Sequence, residues 1–264
     1  MTAPFIEMRD ISKTFGAVTA LAHVDLSLPP GGVLGLVGDN AAGKSTLMKI
    51  LAGALAADSG EIRIDGERVE YGHPIAARAL GIEMIYQDFA LVPQLTVSQN
   101  IFLGREITRS LAGIRILDRR AMNARSEEMF ESLGLRVPAV TLPVQALSGG
   151  QQQAVAIARA TGFAARLVIM DEPTANLGAP AIARVRETIT RLKDEGIAVI
   201  IISHRLEDIF AIGDSFMVMK QGRLVGMRPV AETNNAEIVE MIVTGRDPTA
   251  SAPLQEPVPS VAGS

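Results

Sequence analysis

The chain has no cysteine, no tryptophan and only 4% aromatic residues, and no apolar run long enough to span a bilayer, about 18 residues. The missing cysteine excludes disulfides, Cys-ligated zinc, iron–sulfur clusters and thiol catalysis together. Any chemistry rests on oxygen, nitrogen or a bound metal. The start, Met1 to Glu7, lacks the basic flank and apolar stretch of a signal peptide, so the expectation is a chain that stays in the cytoplasm. A strong charge of one sign is also missing: 25 Lys+Arg stand against 29 Asp+Glu, a net charge of −4. That balance gives no basic footprint for DNA or RNA, and no nucleic acid is expected as partner. Nor is there self-similarity at a period of roughly 20–50 residues, which excludes solenoids and propellers.

What remains is 264 residues, 48% of them hydrophobic, enough for one large domain or two small ones. The mean hydropathy, +0.25, is high for a chain without a membrane span. A Val/Ile-rich parallel sheet buried on both faces explains it, and so does apolar surface given to a partner.

Residues 5–14 and 24–28 alternate apolar and polar residues, as half-buried antiparallel strands do. Val33–Val37 is instead a nearly continuous apolar run, the pattern of a strand covered on both faces, followed by a Gly-containing loop and a helical stretch from Lys44 to about Leu55. Two further apolar runs, Leu167–Met170 and Ile197–Ile202, alternate with helical patterns, so the core reads as a parallel α/β sheet. Between about Asp88 and Ala146, Pro93, Pro138 and Pro143 punctuate the chain, and Arg119–Leu133 has a charged amphipathic helix pattern with no strand of its own. This segment reads as an inserted helical subdomain. Asp214–Val230 returns to strands around a Gln221-Gly222 turn, followed by a helix from about Asn235 to Val243. The Pro-, Ala- and Ser-rich end, from about Arg246 to Ser264, reads as a disordered tail.

Gly38-Asp39-Asn40-Ala41-Ala42-Gly43-Lys44-Ser45-Thr46 fits Gly, four residues, Gly-Lys-Ser/Thr, directly after a buried strand and opening a helix. In such a loop backbone N–H groups converge on phosphate oxygens, Lys44 reaches the β and γ phosphates, and the Ser45 hydroxyl ligates Mg²⁺. Asp171 and Glu172 end the second apolar strand. Asp171 is placed to hold Mg²⁺ through its water shell, and Glu172 to polarise the water that attacks the γ-phosphate. The plain alternative is a strand end before a helix that favours acidic residues. Ser148-Gly149-Gly150-Gln151 opens another helix and reads either as a second nest of N–H donors for phosphate or as an ordinary capped helix.

Together these segments resemble the nucleotide-binding subunit of the ATP-binding cassette (ABC) transporter family. Gly38–Thr46 is similar to its Walker A, Asp171-Glu172 to its Walker B, and Leu147–Gln151 to its signature motif. Gln87 falls where the family has its Q-loop and His204 where it has its switch histidine, all five in family order over about residues 5–245. The resemblance implies a P-loop NTPase (RecA-like) core of mainly parallel sheet over 5–87 and 147–245, an antiparallel β subdomain, and a helical subdomain over 88–146. It implies that Gln87 touches the metal or the attacking water, that His204 contacts the γ-phosphate, and that Phe15 stacks on adenine. Gln87, Asp171 and Ser45 form the metal set; Ser148, Gly149, Gly150 and Gln151 grip ATP from the opposite chain. One signature per chain then requires a second ABC ATPase chain, a homodimer being the first expectation.

Met84–Pro93, Asn100–Glu106, Gln151-Gln152-Gln153 and Thr174–Gly178 resemble the monosaccharide importer branch. The implied partners are membrane permease subunits and, indirectly, a periplasmic sugar-binding protein, with the chain peripheral on the cytoplasmic face of the inner membrane. A soluble ABC ATPase acting on ribosomes or DNA, or an exporter ATPase, are the competing readings. Three departures from the family pattern stand out: Ala41 for a Walker A glycine, Gln152 for an arginine after the signature, and Gly178 for the D-loop aspartate. If residue 41 needs φ > 0, the methyl group there costs on the order of 1 kcal/mol.

Overall fold

The computed structural model describes residues 4–248 apart from 112 and 176. Its first strands are β1 (Ile6–Phe15) and β2 (Val18–Leu28), an antiparallel pair in which Ile6 faces Leu28 and Phe15 faces Val18. Alternation puts Ile6 and Met8 inward, and a register shift between Met8 and Ile11, where Asp10 takes a positive φ, turns Ile11 inward as well. The buried strand β3 (Val33–Gly38) leads through the Gly-containing loop into α1 (Lys44–Leu51), a helix shorter than the expected run to Leu55. β4 (Ser59–Ile64) and β5 (Glu67–Val69) complete a four-stranded sheet in the order β2-β1-β4-β5, antiparallel throughout.

α2 (Pro74–Ala79) and β6 (Ile82–Ile85) follow, and then the insertion: α3 (Val97–Ile101), β7 (Thr108–Leu111), β8 (Ile114–Leu117) and α4 (Arg119–Ser132). α4 is where the amphipathic pattern of Arg119–Leu133 puts a helix; α3 has no counterpart in the sequence reading. The expectation of an insertion without strands is corrected by β7 and β8, a two-stranded antiparallel hairpin with Leu111 opposite Ile114. Its Ile114-Arg115-Ile116-Leu117 run has no clean alternation, and Leu111, Ile114 and Leu117 stay exposed, so burial left no readable period.

The chain returns through α5 (Gly149–Thr161), β9 (Leu167–Asp171), α6 (Ala179–Asp194), β10 (Ala198–Ile202), α7 (Leu206–Ile212), the hairpin β11 (Ser215–Lys220) and β12 (Arg223–Pro229), and α8 (Asn235–Thr244). The main sheet has the order β12-β11-β3-β10-β9-β6, parallel from β11 to β6, with β12 antiparallel at one edge. Its central strands β3, β9 and β10 are the three apolar runs, and β10 is buried at all five positions. One side of this sheet packs with the antiparallel sheet and α1 around Leu34, Leu36, Leu47 and Ile200; the other packs with α3–α6 around Val168, Val199, Ile201 and Phe102. A sheet covered on both faces accounts for much of the high mean hydropathy.

Of the expected tail, residues 246–248 are described, and there Asp247 is paired with Arg228 on β12. Residues 249–264 lie outside the described residues, as does Asn176 within the Thr174–Gly178 stretch.

Candidate nucleotide site

The loop between β3 and α1 reverses direction in a way that demands positive φ at three places: Gly38 (φ 146), Ala41 (φ 66) and Gly43 (φ 96). Any Cβ on Gly38 would lie 2.1 Å from Met219 O, and on Gly43 2.7 Å from Ala20 O, so only glycine fits either position. Ala41 does sit in the left-handed region, which makes the expected methyl cost of about 1 kcal/mol apply. Lys44 folds back over the loop, its Nζ donating to Gly38 O at 2.7 Å and Asp39 O at 2.8 Å. Burial pushes its pKa down, while Glu172, Asp171 and Asp39 hold the proton on.

Residues 40–46 line a cavity of about 220 Å³ together with Gln87, Asp171, Glu172 and Ile202. Five parallel strands bring these segments to one end of the sheet, the carboxyl ends of β3, β6, β9 and β10, where open α/β sheets bind ligands. The cavity falls below the roughly 300–1,000 Å³ of a complete small-molecule site. Asp171 ends β9 with its pKa raised, first by burial and then by the neighbouring Glu172. Asp171 and Glu172 offer adjacent hard oxygen donors, with Lys49 and Lys44 acting on Asp171 from nearby, and such oxygens fit a divalent cation such as Mg²⁺ shared with phosphate oxygens. Among the described residues no group of three or more His, Cys, Asp or Glu could hold a metal ion.

Glu172 is itself held in the left-handed region (φ 51), its N–H donating to Ile202 O at 2.9 Å. Its Oε2 is buried without an aligned hydrogen bond, although His204 Nδ1 lies 2.8 Å away at ion-pair distance. His204, largely exposed, follows β10 and therefore faces the carboxylate rather than the protein interior. Phe15 is 49% exposed, with Lys13 Nζ 5.7 Å from its ring centre, so the ring is available for stacking and is not a core residue.

The signature segment is elsewhere. Ser148, Gly150 and Gln151 line a larger cavity, about 490 Å³, between α5, α6 and the segment after α4, and it shares no residue with the phosphate cavity. Size does not make it the site of chemistry, because it contains neither the phosphate loop nor the paired carboxylates. The nest is also partly closed: Ser148 N–H donates to Gln151 Oε1 at 2.9 Å, leaving the first-turn amides of Gly149 and Gly150 as the helix-end donors. Gln152, in place of a cation, donates to Leu147 O at 3.1 Å and so ties down the segment entering α5. Gly178 caps α6.

Sequence reasoning missed one buried cluster next to the site. Asp208, 2% exposed at the start of α7, accepts from Thr174 Oγ1 at 2.5 Å and from Arg186 Nη2 at 2.5 Å and Nε at 3.1 Å, with Arg205 Nε 3.4 Å away. It joins the segment after Glu172 to the segment after His204. Asp208 and Arg186 are 22 residues apart in sequence, which local patterning does not connect.

The fold and this site define an ATP-binding cassette ATPase. The sequence profile of the ABC transporter family matches residues 21–175, and the chain belongs to that family. It is 41% identical to the xylose/arabinose import ATP-binding protein XylG of Sulfolobus acidocaldarius over 90% of this chain and 94% of that protein. It is 47% identical to the ribose import ATP-binding protein RbsA 1 of Rubrobacter xylanophilus, and 38% to the fructose import ATP-binding protein FrcA of Rhizobium meliloti. The match covers 91% of this chain but 47% of the ribose protein, so the chain spans about half the length of that relative, and it covers 94% and 97% of the pair with the fructose protein. Among solved structures, the ADP conformation of an ATP-binding cassette of an ABC transporter superposes with a TM-score of 0.76 at 25% identity, covering 92% of this chain and 96% of that one. A dimeric cassette bound to ADP and Pi, at 23% identity and a TM-score of 0.72 over 85% of this chain and 98% of that one, shares the fold. No helix of the described residues is long and apolar enough to cross a membrane.

Proposed function

We propose that this chain is the ATP-hydrolysing, energy-coupling subunit of an ABC importer for a simple sugar. The observation that carries the reading is the separation of the phosphate cavity from the signature cavity within one chain. Each chain then holds two halves of different sites, and two chains arranged head to tail complete both. Similarity to sugar import ATP-binding proteins supports the substrate class and a peripheral place on the cytoplasmic face of the inner membrane.

In this mechanism the amides of residues 40–46 bind the phosphates of ATP and Lys44 neutralises their charge. Phe15 stacks on the base. Ser45, Asp171 and Gln87 would hold Mg²⁺, which supplies charge neutralisation at the β and γ phosphates. Glu172 takes up the proton of the attacking water, and His204, against Glu172 Oε2, keeps that carboxylate aimed while its ring reaches the γ-phosphate. Ser148, Gly149, Gly150 and Gln151 of the second chain close over the same nucleotide. Closure draws the helical subdomains (88–146) together and drives alternating access in a membrane permease; hydrolysis releases the pair. Choice of sugar rests with the permease and a periplasmic sugar-binding protein.

Mixing two crippled chains tests this reading. Lys44→Ala removes one half-site and Ser148→Arg the other. Each homodimeric transporter is expected to lose ATP turnover, and a mixture of the two to recover part of it through the one intact composite site. A mixture as inactive as its parents means that the site does not form between chains.

A further inference from the structure

Two residues after Gln87 the chain takes two consecutive left-handed steps without glycine, Phe89 at φ 60 and Ala90 at φ 45. Side-chain-bearing residues rarely occupy this region, and two in succession persist only where the surroundings hold them. Part of the hold is local: Asp88 Oδ1 accepts from Ala90 N–H at 3.2 Å, and Phe89 N–H donates to Tyr86 O at 2.8 Å. The rest comes from far along the chain. Arg159, in the last turn of α5, donates from Nη1 to Ala90 O at 2.7 Å and from Nη2 to Phe89 O at 2.8 Å. One planar fork therefore grips the carbonyls of both strained residues, a geometry that lysine cannot reproduce.

Three cations, Arg159, Arg78 and Arg105, surround the buried Glu83 behind this loop. Burial, with Arg78 and Arg105 close by, pushes the Arg159 pKa down, and Glu83 opposes them; a guanidinium nevertheless stays charged. Arg105 is committed to Glu83 and stacks over Phe163, while Arg159 spends its donors on the loop.

The position of Arg159 gives this contact its consequence. Ser148 caps the other end of α5, about 16 Å away along the helix axis. On the function proposed above, that end touches the ATP held by the second chain, while the Arg159 end holds the segment carrying Gln87 at this chain's own ATP. We infer that Arg159 is a positioning residue linking the two ATP sites: displacement of α5 when the signature engages nucleotide changes the grip on Phe89–Ala90, and the strained pair relaxes by moving Gln87. The device is two-state because Phe89 and Ala90 have an ordinary φ to return to when the fork withdraws.

The test uses the assembled transporter, comparing Arg159→Gln, Arg159→Lys, Ala90→Gly and the double variant Arg159→Gln/Ala90→Gly. Wild-type turnover is expected to depend cooperatively on ATP. Arg159→Gln is expected to lower kcat about tenfold with KM for ATP little changed, and to bring the Hill coefficient towards one. Arg159→Lys, which retains charge and packing but not the fork, behaves in the same direction. Ala90→Gly alone stays near wild type, since Ala90 is exposed. Added to Arg159→Gln it recovers most of the kcat, because glycine holds a left-handed step unaided, but not the cooperativity, because the link to α5 is still cut. Wild-type kcat and Hill coefficient in both Arg159 variants overturn the inference, as does a wild-type Hill coefficient of one. A loss that Ala90→Gly fails to relieve also overturns it, leaving Arg159 a purely structural residue. The mixture of Lys44→Ala and Ser148→Arg chains keeps the two claims apart: if it recovers no turnover the composite site of the proposed function fails, and if it recovers turnover while the Arg159 variants match wild type, only the link fails.

Discussion

His204 Nδ1 and Glu172 Oε2 stand 2.8 Å apart at the ends of neighbouring parallel strands, β10 and β9. The contact is a product of sheet register. Ile202 pairs with Asp171, so the residue after Asp171 and the second residue after Ile202 leave the sheet side by side. Glu172 turns at positive φ and directs its carboxylate into the phosphate cavity, where one oxygen is buried without an aligned hydrogen bond. A buried carboxylate oxygen without an aligned hydrogen bond is costly; on the proposed function it accepts the proton of the attacking water.

Asp171 makes the same conflict measurable. Burial and the Glu172 charge raise its folded pKa above the unfolded value, so the ionised form is disfavoured by folding. The sign follows from linkage: as pH rises from about 3.8 through the raised folded pKa, the unfolded state releases its proton first and stability falls. At neutral pH the charge is therefore a net cost in the nucleotide-free chain. Asp171→Asn is expected to raise Tm at pH 7, to leave it little changed well below pH 3.8, and to abolish Mg²⁺-dependent turnover. Thermal unfolding across pH checks it; a lowered Tm at pH 7 goes against it.

Asp208 has the opposite character, a buried carboxylate satisfied on every side by Thr174 and Arg186, with Arg205 close by. Removing it leaves Arg186 without its carboxylate and Arg205 with Glu207 alone, both guanidinium groups being partly exposed to water. Asp208→Ala is expected to cost about 2–3 kcal/mol of stability, the worth of hydrogen bonds to a charged group, read by chemical denaturation. Thr174→Val removes only the bridge to the Glu172 segment and should cost about 1 kcal/mol.

Most of this fold was readable because its determinants are local. The three central strands are continuous apolar runs, and the loop at Gly38–Thr46 follows one of them and opens a helix, so sequence alone assembles strand, phosphate loop and helix. The paired carboxylates at a strand end were equally legible. What escaped depends on distance along the chain. The β7–β8 hairpin has no buried face to impose a period. The Asp208 cluster joins residues from α6, α7 and the segment after β9, and the Arg159 fork spans about 70 residues to reach Phe89 and Ala90. Positive φ at Phe89, Ala90 and Glu172 has no sequence signal, since none of them is glycine.

Ala41 is the exception, a departure whose consequence is simple. It is exposed, at φ 66, and meets no packing demand that a methyl group satisfies. Ala41→Gly exchanges about 1 kcal/mol of left-handed strain against the smaller entropic cost of a glycine. The expected outcome is a rise in Tm of about 1–3 °C, with phosphate-loop chemistry unaltered. A drop in Tm means that the loop holds Ala41 without strain.

On the proposed function, Glu172 is the group that activates water in a site completed by a second chain. The most direct test of this role is steady-state ATP turnover of the assembled transporter carrying Glu172→Gln, an isosteric change that removes the base, measured beside ATP-dependent association of the same variant. The prediction is a fall in kcat of at least about 100-fold, with ATP still bound and the two cassettes held together for longer than in wild type. Turnover at the wild-type rate would contradict the role of Glu172 and the mechanism built on it.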